Sequence, residues 1–450
     1  MLKRTFKILF FLGTLITACQ AQSRISEEVR NNIKTRVDDG TNPGIVVGVI
    51  DTDGTHFFSY GVKSLKDQSA VDENSVFEIG SITKTFTGII LADMALKKKL
   101  NLEDPLQKYL PEGVNAPTLN GQHITLKHLA NHTSSLPRIP SNFKPVNMLN
   151  PYANYSEENL YEFLNNYTLT RDIGSKYEYS NLAMGLLGHI LANKQSTTYE
   201  SLMVETIAKP LGLYNTRVTF TPDMKKHLAM GHSGGVEVEN WDLPTLAGAG
   251  AIRSTAVDML KYLSANMGKE KSVLYPAMQL SQKNSRAEDK VPVVGLGWHV
   301  MTLEDKDITW HNGGTGGYTV FIGFIENEKK GVVVLTNSNM SVDDIGKHLL
   351  QPEFPLFSYQ VVAVDEAILE GYVGKYELNP GFVITISKDG SQLLAQATDQ
   401  QEIPIFPKSE NIFFSKVVKG ELSFKKLEDG TVESVTLHQW GKEMVGKKVE

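Results

Sequence analysis

The sequence predicts a mixed α/β fold of the α+β type, in which one antiparallel sheet is flanked by helices and lies beside a helical region. Three observations lead to this prediction. Strand-like segments lie near both ends of the first 350 residues, and helical periodicity dominates between them, from about Ser81 to Met267. After residue 366 the chain changes to short alternating stretches. We therefore expect one sheet built from both ends of the first part, and a small all-β domain after it.

The first strands and helices are predicted by apolar runs of different period. Gly44 to Ile50 and His56 to Val62 are joined at Asp51-Thr52-Asp53-Gly54, a hairpin sequence. Apolar residues recur at helical spacing from Thr83 to Lys97, and the run from Leu182 to Ala192 is long enough for a buried helix. The later strands are expected at Gly295 to Met301, Ile308 to Trp310, Tyr318 to Ile325 and Gly331 to Leu335.

The last part of the chain is predicted to be a separate all-β unit. Pro352 and Pro355 mark a linker over residues 351–365, which follows a first domain over residues 23–350. Residues 366–450 alternate in polarity and contain the turn sequences Asp389-Gly390 and Asp429-Gly430. No constellation of reactive side chains is visible there. Restricting access to a cleft, mediating oligomers and stabilising the first domain are all open roles for this unit.

Residues 1–22 are interpreted as an export signal. Basic residues precede an apolar stretch from Ile8 to Ala18, which is too short to span a membrane. Residues 16–19 resemble a bacterial lipobox, in which Cys19 would be lipidated and would tether the protein to a membrane. The alternative is ordinary cleavage after Ala21. Both readings imply export from a bacterial cytoplasm, to the periplasm, to a membrane as a lipoprotein, or as a secreted protein.

Composition fits a globular enzyme and excludes some other classes. The 450 residues are 41% hydrophobic and 21% charged, so the chain can bury a large core and should hold more than one domain. A formal net charge of −6 without a basic stripe argues against a nucleic-acid binder. Cys19 is the only cysteine, which rules out an intramolecular disulfide and a cysteine metal site.

Ser81-Ile82-Thr83-Lys84 is the most informative motif of the chain. Residues three apart share a helix face, so the Lys84 amine can reach the Ser81 hydroxyl and help it act as a nucleophile. Ser141 and Ser423 also stand three residues before a lysine, but the first lies among prolines and the second in a strand-like stretch. A purely structural role for Ser81, as a helix N-cap, is the alternative.

Two further segments offer polar groups to a common cleft. Tyr179-Ser180-Asn181 stands just before the second buried helix and could supply a phenol and an amide. Tyr152-Ala153-Asn154 has the same pattern, but it is embedded in a polar loop and ranks second. A half-buried tyrosine bonded to backbone is the structural alternative for Tyr179.

The third segment runs from Trp310 to Tyr318 and is rich in glycine. Glycines let a strand's backbone approach a ligand closely, so that its N–H groups can bind a developing oxyanion. A plain hairpin with a bulge would have a similar composition. The combination of the three segments, in this order, favours a catalytic site.

With these three motifs the chain resembles the serine β-lactamase and penicillin-binding superfamily, in its class C-like branch, peptidase family S12. The superfamily signature is S-x-x-K, S-D-N and K-T-G, and the class C branch typically has Tyr-x-Asn as its second element. Here these elements read Ser81-x-x-Lys84, Tyr179-Ser180-Asn181 and His311-Asn312-Gly313. The resemblance covers residues 26 to 345. It implies the β-lactamase/transpeptidase-like fold, with the site in the cleft between sheet and helical region. Residues 366–450 resemble the lipocalin-like β-barrel appended to some S12 hydrolases.

The resemblance implies covalent acyl transfer without a cofactor or metal. Ser81 would attack a carbonyl, with Lys84 and Tyr179 as the proton-transfer pair, and either of the two could take the proton. A charged lysine would hold the pKa of the phenol below its usual value of about 10. Asn181 would orient Lys84 and hydrogen-bond the substrate amide, and His311 and Gly313 would also contact the substrate. The N–H groups of Ser81 and Gly314 would form the oxyanion hole.

His311 departs from the family pattern, in which a lysine helps to bind the substrate carboxylate. An imidazole has an ordinary pKa of about 6.5 and carries only a fractional charge at pH 7. We therefore expect an amide, such as a peptide with or without D-amino acids, or an ester as substrate. A class C-like β-lactamase is the first alternative, and a weakly catalytic binder of penicillin or wall peptides the second. The oligomeric state is left open.

His128 and His132 are four residues apart, but they lack the glutamate of His-Glu-x-x-His and an assembled third ligand. The sequence therefore argues against a metal site there.

Overall fold

The computed structural model describes residues 24–283, 292–303, 305–357, 361–398, 400, 402–415, 420–439 and 442–449. It consists of a seven-stranded antiparallel sheet with helices on both faces, followed by a closed eight-stranded barrel. The strands up to residue 350 are β1 (Gly44–Asp51), β2 (Gly54–Gly61), β3 (Phe77–Glu78), β4 (Thr118–Leu119), β5 (Gln122–His123), β6 (His232–Ser233), β7 (Val236–Glu237), β8 (Arg253–Ser254), β9 (Val293–Val294), β10 (His299–Leu303), β11 (Lys306–Gly314), β12 (Thr319–Ile325) and β13 (Lys330–Thr336).

The helices mostly fall between β3 and β9, as the helical periodicity predicts. They are α1 (Glu27–Asp38), α2 (Thr83–Leu96), α3 (Leu126–Ala130), α4 (Glu157–Asn166), α5 (Asn181–Lys194), α6 (Tyr199–Met203), α7 (Pro222–Lys226), α8 (Ala247–Gly250), α9 (Ala256–Asn266), α10 (Tyr275–Gln282), α11 (Asp343–Leu350) and α12 (Glu366–Tyr372).

The main sheet joins strands from near both ends of residues 24–350, as predicted. Its order is β2-β1-β13-β12-β11-β10-β9, and β1 pairs with β13 from Ile45 opposite Thr336 to Ile50 opposite Gly331. Every residue of β1 is buried because both faces of the sheet are covered. Val46 and Ile50 face the large core formed with α2, α5 and α9, whereas Val47 faces α1 and α11.

Helices α1 and α11 cover the second face of the sheet and were not predicted. Val29 and Ile33 of α1 and Ile345 of α11 pack against the sheet strands. The buried side chains of Arg36 and Asp344 form an ion pair that ties the two helices together. This pairing spans 308 residues of sequence, so no local pattern could indicate it.

One predicted strand is wrong in its extent. The run from Gly295 to Met301 is interrupted, and only its last part belongs to β10. Gly297 has a φ of +88°, which turns the backbone out of extended geometry. The carbonyl of Leu296 instead fits against α2, where a side chain at Gly88 would collide with it.

The C-terminal barrel is antiparallel throughout and closes by pairing its first strand with its last. Its strands are β14 (Gly374–Asn379), β15 (Phe382–Asp389), β16 (Gln392–Ala397), β17 (Ile403–Pro407), β18 (Ile412–Ser415), β19 (Glu421–Lys426), β20 (Val432–Gln439) and β21 (Lys442–Lys448). Tyr376 of β14 pairs with Lys448 of β21. The two predicted Asp-Gly turns connect β15 to β16 and β19 to β20, and both of their glycines have positive φ.

The expectation of an entirely β structure after residue 366 is wrong for its first residues. Helix α12 begins at Glu366 with Asp365 as its N-cap, and it places Leu369 and Tyr372 in the barrel core. The predicted export signal and Cys19 lie outside the described residues. No helix in the described part of the chain is long and apolar enough to cross a membrane.

Candidate active site

Ser81 lies in a short 3-10 turn, Gly80–Ile82, that opens helix α2 at the edge of the main sheet. Gly80 has a φ of +47°, and a β-carbon there would come within 2.8 Å of the Gly314 nitrogen. The glycine therefore lets the turn touch the end of β11. The competing serines lie elsewhere: Ser141 is exposed in a loop, and Ser423 on β19 hydrogen-bonds His438 at 2.7 Å.

Lys84 is completely buried, and its amine meets three oxygens. Nζ lies 2.9 Å from Ser81 Oγ, 2.9 Å from Asn181 Oδ1 and 2.6 Å from the Ala249 carbonyl oxygen. Burial lowers the pKa of Lys84 well below its ordinary value, and the nearby charge of Arg138 lowers it further. The Asn181 and Ala249 oxygens can only accept, so each takes one N–H of Lys84, and in the neutral form of the amine these are its only two N–H groups. The remaining lone pair then points at the Ser81 hydroxyl.

Tyr179 lies on the other side of Ser81, just before helix α5. Its ring centroid is 4.9 Å from Lys84 Nζ, and the Ser81 side chain lies close enough to lower the pKa of its phenol. The expectation that its pKa is lowered is wrong. Burial raises the pKa of Tyr179, and this effect outweighs the opposing hydrogen bond from Ser81. A phenolate would lose its hydration in this site, whereas a neutral hydroxyl fits.

Asn181 is the first residue of α5, whose N-cap is Ser180. Its side-chain oxygen accepts from Lys84, and its Nδ2 donates to the Tyr152 hydroxyl at 3.2 Å. The second-ranked element therefore enters the site in part, which the sequence did not indicate. Tyr152 reaches the cleft, while Asn154 turns away and donates to the Lys144 carbonyl at 3.0 Å.

His311 lies on β11 with its side chain buried in the cleft wall, at 1% exposure. Its Nδ1 lies 2.5 Å from the Asn312 carbonyl, which can only accept, so Nδ1 carries the proton. Nε2 is then an acceptor, and within the described residues it has no hydrogen-bond partner. Burial lowers the pKa of His311 well below its ordinary value, because an imidazolium would lose its hydration in this wall. The imidazole is therefore neutral at pH 7, not fractionally charged as the sequence suggests.

Two further histidines lie beside His311 and Tyr179. The sequence did not assign either of them to the site. His299 on β10 lies 5.0 Å from His311 between ring centroids, and burial lowers its pKa to about 4. His132 lies 4.6 Å from Tyr179, and its Nδ1 accepts from the Ser180 N–H at 3.1 Å. His128 instead caps α3, with Nδ1 3.2 Å from the Thr125 nitrogen. The four-residue spacing of His128 and His132 thus reflects two separate local roles.

Arg138 is another residue of the cleft that no sequence signal identified. Its side chain is exposed, and its guanidinium carbon lies 5.0 Å from the centroid of the Tyr179 ring. The cleft therefore has a neutral histidine on its sheet side and a cation above Tyr179.

At the end of β11, Gly313 allows this strand to pack closely against the segment that leads into the Ser81 turn. A β-carbon on Gly313 would lie 2.1 Å from the Ile79 carbonyl oxygen, whereas one on Gly314 would meet nothing closer than 3.8 Å. We expect Gly313→Ala to push β11 away from Ser81 and to slow acylation by about a hundredfold, because a displacement of about 1 Å can cost that much. Gly314→Ala is the matched control and should acylate within a few-fold of the wild type.

Acylation rates with a fluorescent penicillin or a fluorophosphonate measure this difference directly. Equal rates for the two variants would contradict the close packing of β11 on Ile79.

Comparisons with known proteins agree with this geometry. The family profile described as Beta-lactamase matches residues 29–351, and one described as Domain of unknown function (DUF3471) matches residues 359–448. D-alanyl-D-alanine-carboxypeptidase/endopeptidase AmpH of Escherichia coli (strain K12) is 31% identical over 318 residues, which cover 66% of this chain and 80% of that protein. A penicillin-binding protein of Bacillus subtilis (strain 168) is 26% identical over 444 residues, or 89% of this chain and 93% of the relative.

The fold has close counterparts among solved structures. A class C beta lactamase from Rhodobacter sphaeroides superposes with a TM-score of 0.63 at 24% identity, over 73% of this chain and 99% of that one. Together with the matched family profile, these findings show that the chain belongs to the beta-lactamase family and is a serine hydrolase.

Proposed function

We propose that this protein is an exported serine hydrolase whose acyl donor is a neutral ester or a neutral amide. The amide is a peptide bond, and peptides that contain D-amino acids are included. The observation that carries this proposal is the buried, neutral His311 at the position where the family has a carboxylate-binding lysine. Amide chemistry has a precedent in the relative named carboxypeptidase and endopeptidase. Endopeptidase cleavage fits better, because an internal peptide bond brings no free carboxylate to this wall.

Export is proposed on the basis of residues 1–22, with Cys19 as the lipid attachment point. The same proposal divides the chain into a hydrolase domain over residues 23–350, a linker over residues 351–365 and the barrel domain over residues 366–450. The barrel and the family profile that begins at residue 359 support this division.

Acylation begins with neutral Lys84 taking the proton of the Ser81 hydroxyl. The serine oxygen then forms a bond to the substrate carbonyl carbon, and the resulting oxyanion accepts from the N–H groups of Ser81 and Gly314. Each such donor contributes on the order of 3 kcal/mol to the transition state. Collapse of this intermediate breaks the bond to the leaving amine or alcohol. The leaving group takes the proton back from Lys84, with the Tyr179 hydroxyl placed to relay it.

Deacylation runs the same steps with water as the nucleophile. The Tyr179 hydroxyl positions the water and passes its proton to Lys84, while Asn181 holds the amine in place through its side-chain oxygen. Burial favours the neutral form of Tyr179, which suits a relay better than a phenolate base.

Arg138 favours a second candidate, a class C-like β-lactamase that recognises an anionic substrate. Its exposed guanidinium is the charged group above Tyr179 and could pair with a substrate carboxylate. Relatives named Beta-lactamase, such as one from Escherichia coli (strain K12) at 26% identity, are consistent with this candidate.

One experiment separates the two candidates. We measure kcat/KM from pH 5.5 to 8.5 for an anionic cephalosporin, a neutral short-chain ester and a D-aminoacyl amide. In the wild type, the neutral substrates should be preferred and the ratio of anionic to neutral activity should be flat with pH, because burial holds the pKa of His311 well below its ordinary value and disfavours the imidazolium. His311→Lys should raise that ratio about fivefold, since a screened charge contributes about 1 kcal/mol.

Arg138→Gln serves as the test of the alternative. A wild type that prefers the cephalosporin, with a preference that disappears in Arg138→Gln, would establish the β-lactamase candidate instead. A ratio that rises as the pH falls towards 5.5 would show that His311 is protonated in the cleft, against the proposal.

A further inference from the structure

The C-terminal barrel encloses an apolar cavity of about 280 Å³. An eight-stranded barrel is at the size where side chains either fill the interior or leave space for one small ligand. Among the described residues around the cavity, none is charged. They are Phe382, Ile384, Ala395, Ala397, Gln400, Ile403, Ile405, Phe413, Ser415, Gly420, Leu422, Leu437 and Gln439.

One end of the barrel is closed by packed aromatic rings. Tyr372 of α12 stacks on Phe424 at 4.2 Å between centroids and meets Phe413 edge-on at 5.5 Å. Tyr376 also contacts Phe424, at 5.8 Å. All four side chains are at most 2% exposed. The interior at this end is therefore a solid core, and the cavity lies above it.

On two strands, β16 and β19, the inward-facing side chains become smaller towards the opposite end. Along β19 and the residue before it, the inward positions read Phe424, Leu422 and Gly420 from the closed end to the open one. Along β16 the inward positions are Leu393, Ala395 and Ala397, again from the closed end to the open one. The space is therefore built into the sequence of two separate strands and does not come from a single missing side chain.

The open end offers neutral hydrogen-bonding groups next to the apolar interior. Ser415 ends β18 and Gln439 ends β20, and both line the cavity. A ligand with an apolar body and one polar head fits this arrangement, since few polar groups at the mouth suffice to orient it. An apolar cavity of about 150 Å³ accepts benzene, so this one accommodates roughly ten carbon atoms.

We propose that the barrel binds the hydrocarbon chain of a single-chain amphiphile, a medium-chain fatty acid or its monoacyl ester, with the polar head at Ser415 and Gln439. This site is separate from the catalytic cleft, and the proposal does not depend on the substrate assigned to Ser81.

Binding is tested on the purified protein with 11-(dansylamino)undecanoic acid, a fluorescent fatty acid, used below its critical micelle concentration and displaced by decanoic acid. The cavity-filling variants Ala397→Phe and Ala395→Leu should weaken the binding of both compounds at least tenfold. Gln396→Phe lies between them on the outer face of β16 and should bind within twofold of the wild type. Circular dichroism and thermal melting confirm that each variant is folded. If one of the two cavity-filling variants fails to fold, the other still tests the proposal.

Two further arms locate the ligand and define its head group. Protein labelled at Ser81 with a fluorophosphonate should bind the probe as well as unlabelled protein does. Decanoic acid and 1-monodecanoylglycerol should compete within a few-fold of each other if the chain dominates, whereas a preference for the acid above tenfold would assign the site to free fatty acids. The proposal is overturned if the wild type shows no saturable binding, if Gln396→Phe weakens binding as much as the fillers do, or if labelling Ser81 abolishes binding.

Discussion

Ser81→Ala is expected to abolish hydrolysis and covalent labelling, with a loss of at least about a thousandfold in kcat/KM, as for other nucleophile deletions. The hydroxyl lies between Lys84 Nζ, at 2.9 Å, and the Tyr179 hydroxyl, so its removal takes away the atom that forms the acyl-enzyme. Alanine fits without a clash because only one atom is lost, and the melting temperature should stay within a few degrees of the wild type. Fluorophosphonate labelling followed by intact-mass measurement reports the result.

Ser141→Ala is the matched control for this experiment. Ser141 has the same spacing to a lysine but lies exposed in a loop, so its loss should leave labelling and turnover unchanged. Labelling of Ser81→Ala at the wild-type rate would remove Ser81 from the mechanism. An adduct that accumulates on wild-type Ser81 without turnover would instead identify the protein as a weakly catalytic binder.

The catalytic motifs could be read from the sequence because each one is local. Ser81 and Lys84 share a helix turn, and Tyr179 and Asn181 stand at the start of another helix. Sheet formation from the two ends also followed from strand-like segments at residues 44–62 and 308–335. These features depend on periodicity and short spacing, which a single sequence displays directly.

The remaining parts of the site depend on contacts between distant segments. Tyr152 reaches Asn181 across 29 residues, and His299 approaches His311 only because β10 and β11 pair in a particular register. The pKa of Tyr179 followed the same rule: the sequence showed its charged neighbour, but the extent of burial that raises the pKa is a property of the folded core. The pKa shift that was inferred for Tyr179 from its charged neighbour alone therefore had the wrong sign.

Lys84→Met should slow acylation by about a thousandfold, because positioned general bases contribute roughly 10²–10⁴ to such rates. Methionine retains the length and apolar stem of lysine in this fully buried position, so folding is preserved while the amine is removed. Lys97→Met is the matched control. Lys97 lies at the C-terminal end of the same helix, is exposed and pairs with Asp93 at 2.8 Å, an interaction that contributes little to stability or activity.

The pH dependence of acylation distinguishes Lys84 from Tyr179 as the base. Only the neutral amine can accept the serine proton, so the wild-type rate should fall as the pH drops through the lowered pKa of Lys84 and reach a plateau above it. A phenolate base would also need the deprotonated form, but its rate would keep rising with pH towards the raised pKa of Tyr179 and would show no plateau before it. Stopped-flow labelling with a neutral fluorophosphonate from pH 5 to 10 records the profile. If Lys84→Met retained both the rate and the acid limb, the proton would have to pass to another group, and Tyr179→Phe should then show the thousandfold loss.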